Sequence, residues 1–402
     1  MSEGSPPVIN ISNGGSVSTP KRWSPFALGF RPFFLLAGWF ATLFMATSLG
    51  GFVSGIWHYN YFELSLWHAH EMLFGFGVAV IAGFLLTAVR NWTGLATPSG
   101  LPLALLVLLW LAPRVLSAVP MPAMIFALLD MLFLPVLALL IYLRVKQAKQ
   151  PHNYSVPALL LLLAVANAGI HLDLLGQLPG VSSGMLHLGV LTFVAIIVLI
   201  GGRVVPFFIG SATASQAGSK RWIEKAALPS VMLFAGVNLL LPVDGLVAVL
   251  AVAVGLLHAK RMQQWYVASI WKEPMLWVLY LGYAWLVAGF FFYAAALMFN
   301  LPLTEAVHAW TVGAIGAFTL GMMARVSLGH TGRPVQALPW MPAGFILIVA
   351  AAFARVVMPL INPAWLDSIV MFSATCWIIA FLIFAIRYSM LLLKPRLDGK
   401  EG

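Results

Sequence analysis

The 402 residues are 61% hydrophobic and only 8% charged, a composition that excludes a soluble globular domain. A formal net charge of +10 would suit nucleic acid, but the basic residues are scattered over short loops, which excludes that partner. The single Cys376 excludes a disulfide framework and a thiolate metal site.

In chain order, residues 1–25 begin with a Ser-, Gly-, Asn- and Pro-rich stretch that reads as a disordered tail without the apolar core of a signal peptide. Apolar runs long enough to cross about 30 Å of hydrocarbon follow. Twelve are expected, at about 31–55, 67–90, 101–119, 122–145, 155–175, 184–208, 227–242, 244–262, 275–299, 304–328, 340–360 and 366–393, with a tail at 394–402. Pro242-Val243-Asp244-Gly245 reads as the tight turn between the seventh and eighth. The fold class is an all-α polytopic membrane protein, a single domain over 26–393.

Alternate loops carry the basic residues: Lys21 and Arg22, then Arg144, Lys146 and Lys149, then Lys220, Arg221 and Lys225, then Lys260, Arg261 and Lys272, then Arg333, Lys394 and Arg396. The intervening loops hold Glu63, Asp173, Asp244, Glu305 and Asp367. This is the positive-inside pattern, with both termini expected in the cytoplasm.

Three helices open on a histidine: His70 to Thr87, His187 to Arg203 and His308 to Arg325, spanning 17, 16 and 17 residues. They suggest three repeats of four helices, about 26–150, 151–265 and 266–393. The topology places His68, His70, His171, His187 and His308 in one outer layer, and a histidine inside a bilayer is a site hypothesis by default. His330 follows His308 by 22 residues, about 33 Å of helix, and so lies at the other end. His152 and His258 are expected on the inner side as interfacial residues, and His58 in the first outer loop. His68 and His70 point to opposite faces of a regular helix, so both can meet one centre only if the helix start is irregular.

Imidazole ligates iron, copper and zinc, and haem in particular. Without a Cys-x-x-Cys-His run any haem is non-covalent. Arg114 and Arg355, 241 residues apart at the outer ends of the third and eleventh helices, would meet haem propionates. Arg90, Arg203 and Arg325 end helices on the inner side and read as anchors. Gly75, Gly77 and Gly83, with Gly313, Gly316 and Gly321, permit close helix packing or room for a flat cofactor.

Phe30-Arg31-Pro32-Phe33-Phe34, Trp67-His68-Ala69-His70-Glu71-Met72, Asn91-Trp92-Thr93-Gly94, Gly201-Gly202-Arg203-Val204-Val205-Pro206 and Gly329-His330-Thr331-Gly332-Arg333-Pro334 resemble the motifs of the NnrS family, over about residues 26–392. The resemblance implies a bacterial inner-membrane protein of nitric oxide stress and denitrification that contains haem and copper. It marks His68, His70, Glu71, His308, Arg325, His330 and Arg333 as motif positions. The repeat pattern also resembles, by analogy of plan, the catalytic subunit of haem-copper oxidases and nitric oxide reductases. The expected function is a haem b protein that binds or reduces nitric oxide, with His70 and His308 on iron. His68, His171 and His187 would hold a copper or a second haem, and Glu71 would carry protons. Lipid surrounds it, and an unidentified partner must supply electrons. Twelve spans with internal repeats also suit a transporter of a metal complex or small ion, and a nitric oxide sensor is a third reading.

Overall fold

Inside a bilayer the backbone finds no water to bond, so uninterrupted runs of Leu, Ala, Val and Phe close their hydrogen bonds as helices. The computed structural model describes residues 23–57, 61–117, 119–213 and 217–399. The expected tail up to residue 22 and His58 lie outside them. The helices are α1 (Phe30–Ser54), α2 (Leu64–Thr93), α3 (Leu101–Leu116), α4 (Ala123–Gln147), α5 (Pro151–Leu174) and α6 (Ser182–Thr213). They continue with α7 (Arg221–Leu240), α8 (Asp244–Trp265), α9 (Pro274–Phe299), α10 (Thr304–His330), α11 (Met341–Ile361) and α12 (Pro363–Leu393). No strand occurs among the described residues.

Eleven of these helices are long and apolar enough to cross a membrane. The exception is α3, whose 16 residues reach about 24 Å. The three histidine-led helices are the innermost. In the most apolar windows of α2, α6 and α10, 89%, 72% and 89% of residues are buried, against at most 61% in the other candidate spans.

Glycine lets these central helices be approached closely. A Cβ on Gly77 would lie 2.5 Å from the Phe193 ring, and one on Gly83 2.8 Å from Phe34. The same holds for Gly313 against Trp285 at 2.5 Å and Gly316 against Trp377 at 2.6 Å. Of the six glycines named in the sequence, all but Gly321, which meets Val278 and Leu279, receive aromatic side chains of neighbouring helices. Gly202 on α6 is the tightest case: a Cβ there would lie 1.7 Å from Arg261 Nη2, which α8 presents in an ion pair with Glu224 of α7. Arg261 Nη1 also donates to the Val198 carbonyl at 2.9 Å and to the Tyr283 hydroxyl at 3.0 Å, so the guanidinium is pinned. Gly202→Ala should therefore cost about 1–3 kcal/mol by overpacking, seen as a lower midpoint of thermal unfolding. An unchanged midpoint would show that the ion pair can slide aside.

Besides the 3-10 turns that open α5 and α12, two helices depart from α-helical geometry in their interior. In α2 the residues Glu71–Gly77 form a π-helical segment, and in α10 so do Ala309–Gly316. Each begins immediately after a histidine, His70 or His308. By contrast α6 is continuous from Ser182 to Thr213. Such wide turns favour functional positions because they redirect the side chains that flank them.

At the opposite end of the bundle, Arg31 is fully buried and its Nη1 donates to the Leu392 carbonyl at 3.0 Å and the Lys394 carbonyl at 2.5 Å. The arginine thus satisfies carbonyls that the end of α12 leaves without intrahelical donors. It accounts for a cation in the first turn of an otherwise apolar helix.

Candidate functional site

The outer-layer histidines separate into two groups. One borders a cavity of about 760 Å³ at the histidine end of the bundle, walled by α1, α2, α6, α10, α11 and α12. Its lining is largely apolar, including Met45, Leu49, Met72, Phe76, Val312, Ile315 and Trp377. The polar residues are few: Ser48, His68, His187, His308, Thr311 and Arg355 stand out among them. Both π-helical segments contribute to the wall, through Met72, Leu73 and Phe76 on one side and Thr311, Val312 and Ile315 on the other.

The rings of His187 and His308 are held alike. His308 Nδ1 lies 2.7 Å from the Thr304 carbonyl and His187 Nδ1 lies 2.8 Å from the Ser183 carbonyl, each four residues back on its own helix. A carbonyl can only accept, so Nδ1 carries the proton and Nε2 of the neutral ring keeps its lone pair. Among the described residues nothing hydrogen-bonds either Nε2. This is the arrangement of a histidine prepared to ligate a metal, with its other nitrogen oriented by a backbone acceptor. His68 Nδ1 is fixed by the Ser48 hydroxyl at 3.0 Å. Arg355 Nη1 is buried with no hydrogen-bond partner among the described residues, leaving a cationic donor at the cavity for an anionic group.

The second group lies on the other face of α2. His70 Nδ1 meets Glu71 Oε1 at 3.1 Å, and its Nε2 meets Asn167 Oδ1 at 2.8 Å. Asn167 Nδ2 donates to Asp130 Oδ2 at 2.9 Å, and His171 Nε2 lies 3.0 Å from the same oxygen. Arg114 closes the network, donating to Asp130 Oδ1 at 2.5 Å and to Glu71 Oε2 at 3.1 Å. The Tyr61 hydroxyl reaches His171 Nδ1 at 2.8 Å. Burial and then the Asp130 charge push the Tyr61 phenol above its usual range, which keeps it the donor to that nitrogen. His70, Asp130 and His171 are all buried, and one ligand atom from each lies within 4.8 Å of the others. That spacing suits a single metal ion. It is the one such group among the described residues, so the three cavity histidines do not converge on a bare ion.

A family model described as NnrS protein matches residues 24–396. The chain belongs to the NnrS family. No curated protein matches it significantly. In this NnrS protein the His68-Ala69-His70-Glu71 motif is divided: His68 and Ala69 line the cavity, while His70 and Glu71 enter the buried network. The Gly329-to-Pro334 motif of the NnrS chain lies at the other end of the bundle. There the His330 ring packs 5.7 Å from Phe30 and its carbonyl accepts from Arg396 Nη1 at 2.9 Å. Arg325, also at that end, lies 4.3 Å above the Phe208 ring.

Several sequence expectations are redistributed. His70 and His308 do not share a cavity, because both ring nitrogens of His70 are engaged on the opposite face of α2. Arg114 does not meet the cavity either: two buried carboxylates hold it, and of the expected pair only Arg355 is at the void. Glu71, expected as a proton carrier, is ion-paired to Arg114 and is not among the residues lining this cavity. His171 stands in the network, not beside His187. His258, expected at the interface, is fully buried, 2.7 Å from the Tyr283 hydroxyl. Asp130, Asn167, Ser48 and Trp377 were not anticipated. Asp130 alone carried a signal, an acid within the apolar run of α4.

Proposed function

We propose that this protein holds a haem in the cavity and takes up nitric oxide there. The observation that carries the reading is the donor set of the void. Histidines with a free Nε2 stand on α6 and α10, these two and His68 do not converge as a three-histidine ion site, and Arg355 offers an unpartnered cationic donor. A volume of about 760 Å³ is within the usual range for a cofactor pocket, about 300–1,000 Å³. Haem supplies an iron that binds nitric oxide and exchanges electrons.

In this reading His308 and His187 would hold the iron through Nε2. His68, oriented by Ser48, faces the same void. Arg355 binds a propionate, and the apolar lining excludes water. The copper of the family is assigned to His70, Asp130 and His171, where the ion would displace a proton that His70 now shares with Glu71 and Asn167. The shared placement of π-helical segments after His70 and His308 supports likeness of the first and third repeats, while α6 lacks one, so three repeats of four on the haem-copper oxidase plan rest on the histidine spacing. The histidine end is then periplasmic, both termini are cytoplasmic, and the membrane is the bacterial inner membrane. Reduction of two nitric oxide molecules to nitrous oxide needs two electrons and two protons. The electrons come from a separate donor protein or carrier.

The absorption spectrum of the purified protein, with iron and copper quantitation, tests the reading. A Soret band that shifts on adding nitric oxide is expected, with iron near stoichiometric. A colourless, iron-free protein would favour a transporter. Arg355→Leu should weaken haem binding roughly ten- to hundredfold, the loss of one charge-assisted hydrogen bond. Haem titration of the stripped protein measures it, and unchanged affinity would remove Arg355 from the site.

A further inference from the structure

The three cavity histidines are not in the same tautomeric state. His187 and His308 give their Nδ1 hydrogen to a backbone carbonyl and keep a lone pair at Nε2. His68 meets a different kind of partner. Its Nδ1 lies 3.0 Å from the Ser48 hydroxyl of α1, a group that can donate as well as accept. Elsewhere on α1, Thr42 and Thr47 give their hydroxyl hydrogens to the carbonyls of Gly38 and Leu43, four residues back. Ser48 makes no such bond among the described residues, so its hydrogen has one acceptor there, the lone pair of His68 Nδ1. With Nδ1 accepting, the hydrogen of the neutral His68 ring sits on Nε2. That N–H has no partner among the described residues. It is not walled in either: His68 keeps accessible surface and borders the void, and its Nε2 is not among the enclosed unpaired atoms.

We infer that His68 donates a hydrogen bond from Nε2 to the ligand taken up in the cavity, the nitric oxide of the preceding reading, on which this inference rests. Two observations set it apart from the histidines that would hold iron. A metal-bound histidine gives the hydrogen of its other nitrogen to an acceptor, whereas His68 receives one from Ser48. It also stands on a third wall, α2, and does not converge with the other two as an ion site. The Thr311 hydroxyl, also at the void, is already spent on the Val307 carbonyl at 2.9 Å. A fixed, neutral N–H stabilises a small neutral ligand whose bound end gains partial negative charge, and it leaves no uncompensated charge against apolar walls. His68 is therefore a ligand-binding residue, and Ser48 positions it.

Solid-state nitrogen-15 NMR of the histidine-labelled, haem-free full chain reads the tautomer. The signals that disappear in His68→Gln should be those of a protonated Nε2 and a bare Nδ1. A protonated Nδ1 overturns the inference. Nitric oxide titration of the haem-loaded protein, with the N–O stretching band recorded in light and heavy water, reads the bond itself. His68→Leu should bind nitric oxide about three- to tenfold less tightly, the value of one hydrogen bond, and lose the heavy-water shift of that band. His68→Gln, which offers an amide N–H at similar reach, should restore both. Should His68→Leu not fold, Ser48→Ala, which frees the ring without removing it, is expected to weaken the heavy-water shift. A folded His68→Leu that binds and vibrates like the wild type, or a His68→Gln that rescues nothing, overturns this inference and leaves the haem reading standing. Loss of haem from both His68 variants would make His68 a ligand, and also overturns it. A wild-type protein with no Soret band and no nitric oxide response overturns both readings.

Discussion

Asp130→Ala is expected to destabilise the protein by about 3–5 kcal/mol, the cost of leaving a buried cation without its counter-charge. Asp130 is 2% exposed and accepts from Arg114 at 2.5 Å, from Asn167 at 2.9 Å and from His171 at 3.0 Å. Removing the carboxylate strips an acceptor from three donors at once, inside an apolar bundle where water cannot replace it. Glu71 still faces Arg114, which limits the damage to the stated range. Asp130→Asn, which keeps a carbonyl acceptor, should lose less. Thermal unfolding of the detergent-purified protein, with chelator present to remove any contribution from bound metal, measures the difference. A loss under about 1 kcal/mol for the alanine variant would show that the network is not a structural anchor.

His308→Ala is expected to lose most of its haem, with affinity falling at least about a hundredfold. Partners that merely orient a ligand already cost ten- to hundredfold when removed, and a ligand itself costs no less. His70→Ala is expected to keep the Soret band, although the two histidines head similar helices. His308 borders the void with Nδ1 held by the Thr304 carbonyl, whereas both nitrogens of His70 are engaged in the buried network. Pyridine haemochrome assay of both variants, normalised to folded protein, reads the contrast. A haem-free His70→Ala beside a haem-replete His308→Ala would reverse the assignment. His187→Ala separates one-ligand from two-ligand binding: an altered Soret position with retained haem is expected if His187 is the second ligand.

Hydropathy made the bundle legible almost span by span, because in lipid an apolar run of about 20 residues has no alternative to a helix. Its ends were less so. The sixth span, expected to end near residue 208, continues to Thr213, and the seventh begins at Arg221 rather than near 227. Polar and basic residues there extend helices that hydropathy alone cuts short. Depth was legible too, since the histidine positions along each span follow from the rise per residue. Facing was not. A helical periodicity assumes an unbroken α-helix, and the π-helical turns at Glu71–Gly77 and Ala309–Gly316 change register just beyond the decisive histidines. Arg114 and Arg355 looked equivalent by spacing. What separates them is that α4 contributes Asp130 beside the first, while the second is left with an unpaired donor at the cavity.

The bond between Arg31 and the end of α12 also bears on how the molecule is made. The arginine lies in the first turn of α1, and two of its acceptors, the carbonyls of Leu392 and Lys394, are synthesised 361 and 363 residues later. The backbone N–H of Ser24 likewise waits for the Leu393 carbonyl, 2.8 Å away in the finished protein. Until α12 is inserted, the seam between α1 and α12 stays open. Insertion of α12 therefore closes this seam, and chains truncated before residue 392 should be left unsealed for cellular quality control.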